Sequence, residues 1–386
     1  MAGARAALKR ARDRFAWRVL RSHSFDYHAW RTTEYTNRGD IAIRQAVRQI
    51  LERKLGYAAQ FVELDWGHLD GEAVERINAG ADLFVICGGG YVSADAATGK
   101  LSRIMDDVTA LAKIRCPIAA FGIGYNCIFE VPRHEMFDDF PPDAVGKLKA
   151  LASSSRLIAC RDDKLSEVLA AFTHSPVPVI GDPALFLEAD GNHPDVSRSG
   201  KDEIQVGLNF ALHGPISAGI FRGHFEVYAT FLSRLQRTRP MTFWYFTHCD
   251  TERIAVALLR ERGIHVRCID VMPRRMIAAY GQMDFVICQM LHASILATNS
   301  GVPSMNIAYD VKNVSFYKLM GLPELCVPHD EATPQGLLDL FSSMVGRRQE
   351  IGAQIERRKA ALQDATNAFA ASIAAVGGEA KTTAQL

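Results

Sequence analysis

The sequence predicts an α/β protein with two Rossmann-like domains. Short apolar runs alternate with longer amphipathic stretches almost from end to end, which is the pattern of strands and helices around a parallel sheet. Most of the runs are almost continuously apolar, as expected of strands that are covered on both faces. A polar segment rich in Gly, Pro, Ser and Asp at residues 188–202 interrupts the alternation, and each side has about the size of one Rossmann-like domain.

The predicted strands are the apolar runs themselves. They cover residues 61–64, 83–87, 118–123, 157–160, 177–180, 204–210, 242–246, 265–269, 285–288 and 302–308. An earlier first strand is predicted near residues 25–29, where Phe25, Tyr27 and Ala29 alternate. Helices are predicted from apolar residues at helical spacing. They cover residues 41–51, 101–112, 290–300, 313–320 and 334–375.

The domain boundaries follow from these patterns. We expect a basic leader at 1–22, an N-terminal domain at 23–190, a C-terminal domain at 203–333, and a helical segment with a tail at 334–386. The leader holds seven Lys or Arg residues and one acid, so a +6 leader precedes a −5 body. Such a segment with interspersed apolar residues suits an anionic membrane surface, and a solvated start is the alternative.

The composition excludes several classes of protein. A net charge of +1 excludes a strongly basic nucleic-acid binder, and 48% hydrophobic residues exclude a disordered chain. No stretch approaches the roughly 20 apolar residues of a membrane span, and the N-terminus lacks the apolar core of a secretory signal. Eight cysteines without a CxxC pair indicate reduced thiols, so a cytoplasmic location is expected, with membrane-peripheral contact through the leader as an extension.

Ligands of open α/β sheets bind at the carboxyl ends of strands, so residues that follow the apolar runs are the candidates. Gly88, Gly89 and Gly90 follow one run, and Gly124 follows the next. Glycines there let backbone amides approach an anion, and a tight turn is the structural alternative. Two neighbouring strand ends of this kind favour a ligand cleft.

Polar residues at the remaining strand ends form a second group of candidates. Asn37, Gly39 and Asp40 precede a helix, with Asp40 expected as its N-cap and helix-terminal amides available to a ligand. Arg161 ends the run at 157–160, where its guanidinium suits phosphate or carboxylate, and a surface ion pair is the alternative. Asp182 lies in the next turn as a ligand or supporting group.

The segment 285–322 is the richest in candidates. His292 falls in the first turn of a predicted helix at the carboxyl edge of the sheet, where an imidazole can bind an anion or transfer a proton. Lys312 follows the next strand and can reach the same edge as a compact cation, the alternative being a solvated lysine. No HExxH, Cys/His cluster or GxSxG elbow occurs, so neither a metal nor a serine triad is predicted.

The ordered series of these motifs resembles the polysaccharide pyruvyl transferase family. The carrying motifs are Asn37-x-Gly39-Asp40, Gly88–Gly90, Gly122-Ile123-Gly124, Arg161-Asp162-x-x-x-Ser166-x-x-Leu169, Gly181-Asp182-Pro183, and the block from Leu291-His292 through Gly301, Pro303 and Tyr309 to Lys312. The resemblance spans about residues 35–325. It implies a GT-B-like arrangement of two domains with the cleft between them.

The resemblance also implies an activity. Members transfer the enolpyruvyl unit of phosphoenolpyruvate to sugar hydroxyls of surface polysaccharides or their lipid-linked precursors, usually as a ketal, and release phosphate without a cofactor. Arg161 and Lys312 would hold the phosphate or carboxylate, and His292 would bind the carboxylate or act as general acid. The glycine amides would line the cleft. Phosphoenolpyruvate and a glycan or lipid-linked oligosaccharide are therefore the expected partners, and nucleic acid is not.

One position departs from the family pattern. Many members carry Arg two residues before the motif His, where this chain has Met290. Arg274, Arg275 and His248 are candidate replacements for that cation. Two alternatives stay open: a GT-B-type glycosyltransferase that uses a nucleotide sugar, and a non-catalytic member of the family.

Overall fold

The computed structural model describes residues 17–22, 37–55, 61–65, 69–93, 108–127, 142–191, 196, 203–212 and 214–383. Contacts divide the chain into two units. Unit 1 consists of Met1–Phe25, Ile43–Pro183 and Leu362–Leu386, and unit 2 consists of Asp26–Ala42 and Ala184–Ala361. Within the described residues, no helix combines the length and the apolar character that crossing a bilayer requires.

Unit 1 is built on parallel strands and the helices between them. The strands are β1 (Trp17–Ser22), β2 (Phe61–Asp65), β3 (Ala81–Cys87), β4 (Val92–Ser93), β5 (Ile118–Ile123), β6 (Tyr125–Asn126) and β7 (Leu157–Cys160). The helices are α1 (Arg38–Leu55), α2 (Gly71–Gly80), α3 (Val108–Leu111), α4 (Pro142–Ser154) and α5 (Asp163–Thr173). Helix α1 begins on residues of unit 2 and continues into unit 1.

The main sheet of unit 1 has five strands in the order β2-β1-β3-β5-β7, all parallel, and β4 pairs with β6. Strand β3 is buried from Leu83 to Cys87, which explains its continuously apolar sequence. The direction of the strand order reverses between β1 and β3, and such a switch point opens a crevice at the carboxyl ends of the strands. The predicted strand at 177–180 is reduced to a single parallel bridge between Cys160 and Val179.

The first strand that the structure describes lies within the predicted leader. It is Trp17–Ser22, hydrogen-bonded to β2 on one side and β3 on the other, whereas the predicted position at 25–29 lies outside the described residues. The predicted leader therefore ends before Trp17. The arginines at positions 18 and 21 interrupt the apolar pattern, so the segment was counted as leader by its charge. A strand's place in a sheet depends on its partners as much as on its own apolar pattern.

Unit 2 repeats the design. Its strands are β8 (Ile204–Asn209), β9 (Met241–Phe246), β10 (Val266–Ile269), β11 (Phe285–Cys288), β12 (Ser304–Ala308) and β13 (Cys326–Pro328). Its helices are α6 (Gly214–Leu235), α7 (Arg253–Glu261), α8 (Pro273–Tyr280), α9 (Leu291–Asn299), α10 (Val311–Met320), α11 (Pro334–Gly346) and the first part of α12 (Arg348–Thr383).

The sheet of unit 2 has six parallel strands in the order β10-β9-β8-β11-β12-β13. Numbered within the unit, this is the order 3-2-1-4-5-6 of a Rossmann fold, and its switch point lies between β8 and β11. In the register of these two strands, Asn209 pairs with Cys288. The residues that follow them, including the start of α9, therefore occupy the position where Rossmann-like folds bind ligands.

The contact division differs from the predicted boundaries at both ends of unit 2. It falls after Pro183 instead of within 188–202, because the side chain of Asn299 donates to the carbonyls of Ala184 and Leu187 at 3.0 and 2.8 Å. The predicted helical segment at 334–386 is not a separate body. Helix α12 buries Ile351 and Ile355 in unit 2, and its later residues belong to unit 1.

Candidate functional site

In unit 1 the glycines after β3 and β5 tie two neighbouring strand ends together. Gly88 and Gly89 have φ values of +50° and +70°, a conformation that side-chain-bearing residues rarely adopt. The amide of Gly124 donates to the carbonyl of Gly89 at 2.8 Å, and the amide of Val92 donates to the carbonyl of Gly124 at 3.1 Å. The predicted glycine loops are thus adjacent at one end of the sheet.

Two of these glycines make room for polar side chains. A Cβ built on Gly124 would lie 2.1 Å from Arg161 Nε, and one built on Gly90 would lie 1.9 Å from Asn126 Nδ2. Distances under 3 Å are steric overlaps, so a side chain at either place would force Arg161 or Asn126 to move. The sequence identified these glycines as candidates for backbone contacts with a ligand. The structure adds a second reason for them, because they also leave room for the side chains of Arg161 and Asn126.

Arg161 is held as a fixed fork. Its Nη2 donates to Asn126 Oδ1 at 2.8 Å, and its Nη1 lies 3.3 Å from Asp182 Oδ2. The side chains of Arg161 and Asp182 are 5% and 1% exposed. The alternative of a surface ion pair is excluded, because the pair is buried. Asp182 offsets the charge of the guanidinium and fixes its orientation. A fixed orientation is favourable for a guanidinium that donates hydrogen bonds to a ligand.

Asp162 caps α5 and also braces the neighbouring strand. Its Oδ1 accepts from the amide of Leu165 at 2.9 Å, and its Oδ2 accepts from the amide of Tyr125 at 3.1 Å. Burial raises the pKa of this carboxyl, and Arg161 partly opposes the shift. Asp162 therefore fixes the backbone next to Arg161.

In unit 2, His292 lies in the first turn of α9, at the switch point between β8 and β11, and it is 9% exposed. A Cβ built on Gly39 would lie 2.0 Å from His292 Nδ1. The backbone of Gly39 therefore packs directly against the imidazole ring. Two predicted residues that are separated by more than 250 positions in the chain meet here.

The N-terminus of α1 is arranged differently from the prediction. The helix begins at Arg38, and the side chain of Asn37 accepts from the amide of Gly39 at 3.0 Å. Asp40 lies in the first turn and is not the N-cap, so that prediction was wrong. Asn37 precedes the first helical residue and is itself a favourable capping residue. Asp40 therefore lies inside the first turn, where an acid is still favourable because the helix dipole is positive at this end.

Arg38 connects the N-terminus of α1 to the sheet of unit 2 through hydrogen bonds and an ion pair. Its amide donates to the carbonyl of His248 at 3.0 Å, and its Nη1 donates to the carbonyl of Thr247 at 2.9 Å. Its Nη2 forms an ion pair with Asp270, which also pairs with Arg253. Arg253 also lies 3.7 Å from Asp250, so two guanidinium groups and two carboxylates form one network beyond the ends of β9 and β10.

His248 and Glu252 are completely buried beside Arg38. His248 Nε2 lies 3.1 Å from the hydroxyl of Tyr280, and burial together with Arg38 lowers its pKa to about 3. The amide of His248 donates to Glu252 Oε2 at 2.7 Å, and burial raises the pKa of Glu252 to about 8 despite its hydrogen bonds. His248 is therefore neutral at physiological pH.

The replacements considered for the cation missing at Met290 can now be assessed. Met290 is the N-cap residue of α9 and is 3% exposed. His248 is neutral and cannot supply a charge. Arg274 is exposed and donates to the carbonyl of Glu188 at 3.2 Å, and Arg275 is also exposed. The buried arginine that the structure places beside Gly39 is Arg38 instead.

Lys312 follows β12 as predicted. Its Nζ lies 3.4 Å from Asp310 Oδ2 and 5.5 Å from the ring centroid of Tyr309, and its side chain is 14% exposed. Asp310 caps α10 by accepting from the amide of Lys312. The alternative of a freely solvated lysine is excluded, because this ammonium is largely buried against an acid and an aromatic ring.

The predicted site residues thus fall into two groups. Unit 1 brings together Gly88, Gly89, Gly90, Gly124, Arg161 and Asp182. Unit 2 brings Gly39 to His292, with Asn37 and Asp40 beside Gly39 at the start of α1 and Lys312 in the first turn of α10. Sequence reasoning missed five residues of the same networks. They are Arg38, Asn126, Asn209, Glu252 and Asp270. Arg38 and Asn126 stand inside or beside quoted motifs, whereas nothing local marks the other three.

No group of three or more His, Cys, Asp or Glu side chains in the described parts of the chain is arranged to hold a metal ion. The candidate groups that the structure does show are the imidazole, the guanidinium groups and the lysine. A fixed guanidinium and an ammonium suit an anionic ligand, and an imidazole in the first turn of a helix suits anion binding or proton transfer.

Known proteins resemble this chain in fold. The structure of S. aureus MnaA with UDP superposes with a TM-score of 0.55 at 9% identity, over 88% of this chain and 90% of that chain. A Listeria monocytogenes protein described as a UDP-N-acetylglucosamine 2-epimerase gives 0.52 at 11% identity, over 88% and 90%. The glycotransferase of kitacinnamycin gives 0.51 at 12% identity, over 95% and 99%. Together with the two parallel sheets, this likeness confirms the predicted α/β fold class of two Rossmann-like domains of the GT-B-like kind, while the cleft stays a prediction.

Sequence comparison gives a more specific result. A search of curated proteins found no significant match. The sequence model of the family described as polysaccharide pyruvyl transferase matches residues 37–311, which runs from Asn37 to the residue before Lys312 and covers well over half of the chain. The chain therefore belongs to the polysaccharide pyruvyl transferase family.

Proposed function

We propose that this transferase moves the enolpyruvyl unit of phosphoenolpyruvate to a sugar of a surface polysaccharide or its precursor, forms a pyruvate ketal and releases phosphate. The observation that carries the proposal is the position of His292, in the first turn of α9 at a Rossmann switch point, within the segment that matches the family. No cofactor or metal takes part in the proposed reaction.

His292 is proposed as the general acid. Transfer of its proton to the methylene carbon of phosphoenolpyruvate makes C2 electrophilic, and a sugar hydroxyl then adds to C2. The bond between C2 and the phosphate oxygen breaks, and a second hydroxyl completes the ketal. One sugar proton restores the imidazolium and the other leaves with phosphate, so the step is balanced. An imidazole is suited to this role because its pKa lies near neutrality.

Fixed cations complete the proposed donor site. Phosphoenolpyruvate carries about three negative charges, which call for charge-assisted hydrogen bonds. In unit 2 we assign this role to Lys312, with Asn37, Gly39 and Asp40 as further binding residues. In unit 1 we assign an anion-binding role to Arg161 and the glycine amides. Lys312 is largely buried, and Arg161 is directed by Asp182 and Asn126. A pre-oriented charge stabilises a developing phosphate leaving group without reorganising during the reaction.

The test is turnover with purified protein. Phosphoenolpyruvate and a panel of glycans are supplied, and phosphate release is measured together with the mass gain of a pyruvate ketal. His292→Ala and Lys312→Ala should abolish both signals, whereas Lys318→Ala, an exposed lysine on the same helix as Lys312, should leave them unchanged. Folded protein that makes no product across a broad panel would count against the proposal.

A nucleotide sugar as donor is the second candidate, favoured by the fold that the chain shares with a protein solved with UDP. UDP would then raise the melting temperature of the protein and phosphoenolpyruvate would not. A non-catalytic member is the third candidate, and Met290 is the feature that supports it. Such a protein would turn over neither donor, and His292→Ala would leave the cellular glycans unaltered.

Contact with an anionic membrane stays part of the proposal only for residues 1–16, since Trp17–Ser22 is a strand. Deleting residues 2–16 should move the protein from the membrane fraction to the soluble fraction. Unchanged fractionation would remove this element and leave the proposed reaction intact.

A further inference from the structure

One buried carboxyl, that of Glu252, connects the two sides of His292. Glu252 lies in a 3-10 turn at the start of α7 and is 0% exposed. Its side chain makes no helix cap. Instead, Oε2 accepts hydrogen bonds from two different elements of the sheet edge, and each leads to a different side of the imidazole.

The first connection runs through Asn209 at the end of β8. Asn209 Nδ2 donates to Glu252 Oε2 at 2.9 Å and to the carbonyl of Phe246 at 3.0 Å. With its amide nitrogen held there, Asn209 turns its Oδ1 toward the amide of Met290, which donates to it at 3.3 Å. Met290 is the N-cap residue of α9, so Asn209 fixes the backbone from which the His292 side chain projects.

The second connection runs through the backbone of His248. Its amide donates to Glu252 Oε2 at 2.7 Å, and its carbonyl accepts the amide of Arg38 at 3.0 Å. Arg38 precedes Gly39, whose backbone packs against the imidazole of His292. Glu252 thus also fixes the surface against which the ring rests.

Burying the Glu252 carboxyl costs free energy of hydration, which indicates that its hydrogen bonds hold the surrounding structure in place. A buried carboxyl loses several kcal/mol of hydration unless hydrogen bonds replace it. Burial raises the pKa of Glu252 to about 8. The groups that face it are Arg38 from α1, Tyr245, His248 and Cys249 from β9 and the turn after it, and Tyr280 from α8.

We propose that Glu252 is a positioning residue that sets the location of the His292 imidazole by holding Asn209 on one side and the Arg38–Gly39 backbone on the other. The consequence for catalysis rests on the proposed role of His292 as general acid. The consequence for the ring itself does not, and it can be measured without turnover.

The experiment records the imidazole resonances of His292 by NMR, assigned by their loss in His292→Asn. Glu252→Ala removes both acceptor contacts, and we expect the His292 resonances to shift while circular dichroism stays native. Glu252→Gln keeps a carbonyl oxygen and should largely restore them. Glu261→Gln, an exposed control on the same helix, should change nothing. A folded Glu252→Ala protein with unmoved His292 resonances would overturn the proposal.

A pH titration keeps the proposal testable if Glu252→Ala does not fold. In the unaltered protein the His292 resonances should show a step with a midpoint near the Glu252 pKa of about 8, separate from the step caused by protonation of the ring itself. In Glu252→Gln that transition should disappear. A step near pH 8 that persists in Glu252→Gln would contradict the proposal, because another group would then be responsible for it.

Turnover separates this inference from the proposed function. If phosphoenolpyruvate is consumed, Glu252→Ala should lower kcat by about tenfold to a hundredfold, because small displacements of a catalytic group have effects of this size, and Glu252→Gln should recover most of it. If no turnover occurs but the resonances respond as described, the positioning role stands and the proposed reaction fails.

Discussion

The two units hold their candidate side chains by the same device but with different electrostatics. In unit 1, Gly124 makes room for Arg161, and in unit 2, Gly39 makes room for His292. The guanidinium of Arg161 is paired with the buried carboxylate of Asp182, whereas the backbone around His292 is held by a network that contains Glu252 and His248, whose pKa values burial shifts. Each unit therefore positions one candidate side chain by the same steric means, and the two units differ in the groups that hold it.

The largest expected change in stability tests the unit 1 side of this comparison. Arg161→Ala removes the buried cation that pairs with Asp182, and removal of one partner of a buried pair costs about 3–5 kcal/mol. Urea unfolding should show this loss. Asp182→Asn added to Arg161→Ala should recover part of it, and a double variant as unstable as the sum of the single variants would mean that the pair is not coupled.

A smaller loss of stability with a large loss of activity is expected from Gly39→Ala. The new methyl group would overlap the ring of His292, and overpacking of this kind costs about 1–3 kcal/mol. Turnover of phosphoenolpyruvate should fall at least tenfold, since the ring must move. The matched control is Gly219→Ala on α6, where no atom lies within 4 Å. Equal turnover in both variants would argue that the ring contact has no role.

The pH dependence of stability distinguishes unit 2 through its buried titratable groups. The pKa of Glu252 rises from 4.5 to about 8 on folding, so its neutral form is favoured and its contribution to stability is lost as pH rises between those values. The pKa of His248 falls from 6.5 to about 3, so its contribution is present above 6.5 and is lost as pH falls toward 3. Urea unfolding of Glu252→Gln should therefore lose less stability between pH 5 and 8 than the unaltered protein. An identical decline would show that Glu252 is not the titrating group.

The smallest change in stability is expected at a glycine that makes no room for a candidate side chain. Gly146 lies in α4 with no atom within 4 Å of a built Cβ. Gly146→Ala should therefore stabilise unit 1 by about 0.4–1 kcal/mol, because the unfolded chain loses freedom while the helix meets no overlap. A loss of stability in thermal unfolding would show that open space at a glycine is a poor guide in this protein.

Much of this organisation was predictable from sequence, and the remainder depends on contacts distant in the chain. Buried strands such as Phe285–Cys288 and the motif positions of Arg161, His292 and Lys312 are written in local patterns. Strand Trp17–Ser22 was missed because arginines interrupt its pattern and its pairing with two other strands is not local. Glu252 was missed because its partners, Asn209 and the backbone of His248, meet only when β8 and β9 pair in the sheet.

The reaction itself is tested most directly by incubating the purified protein with phosphoenolpyruvate and glycan acceptors, beside His292→Ala and Lys318→Ala. The account predicts phosphate release and a ketal-bearing glycan with the unaltered protein and Lys318→Ala, and neither with His292→Ala. Equal product from His292→Ala, or no consumption of phosphoenolpyruvate by folded protein across the acceptor panel, would contradict it.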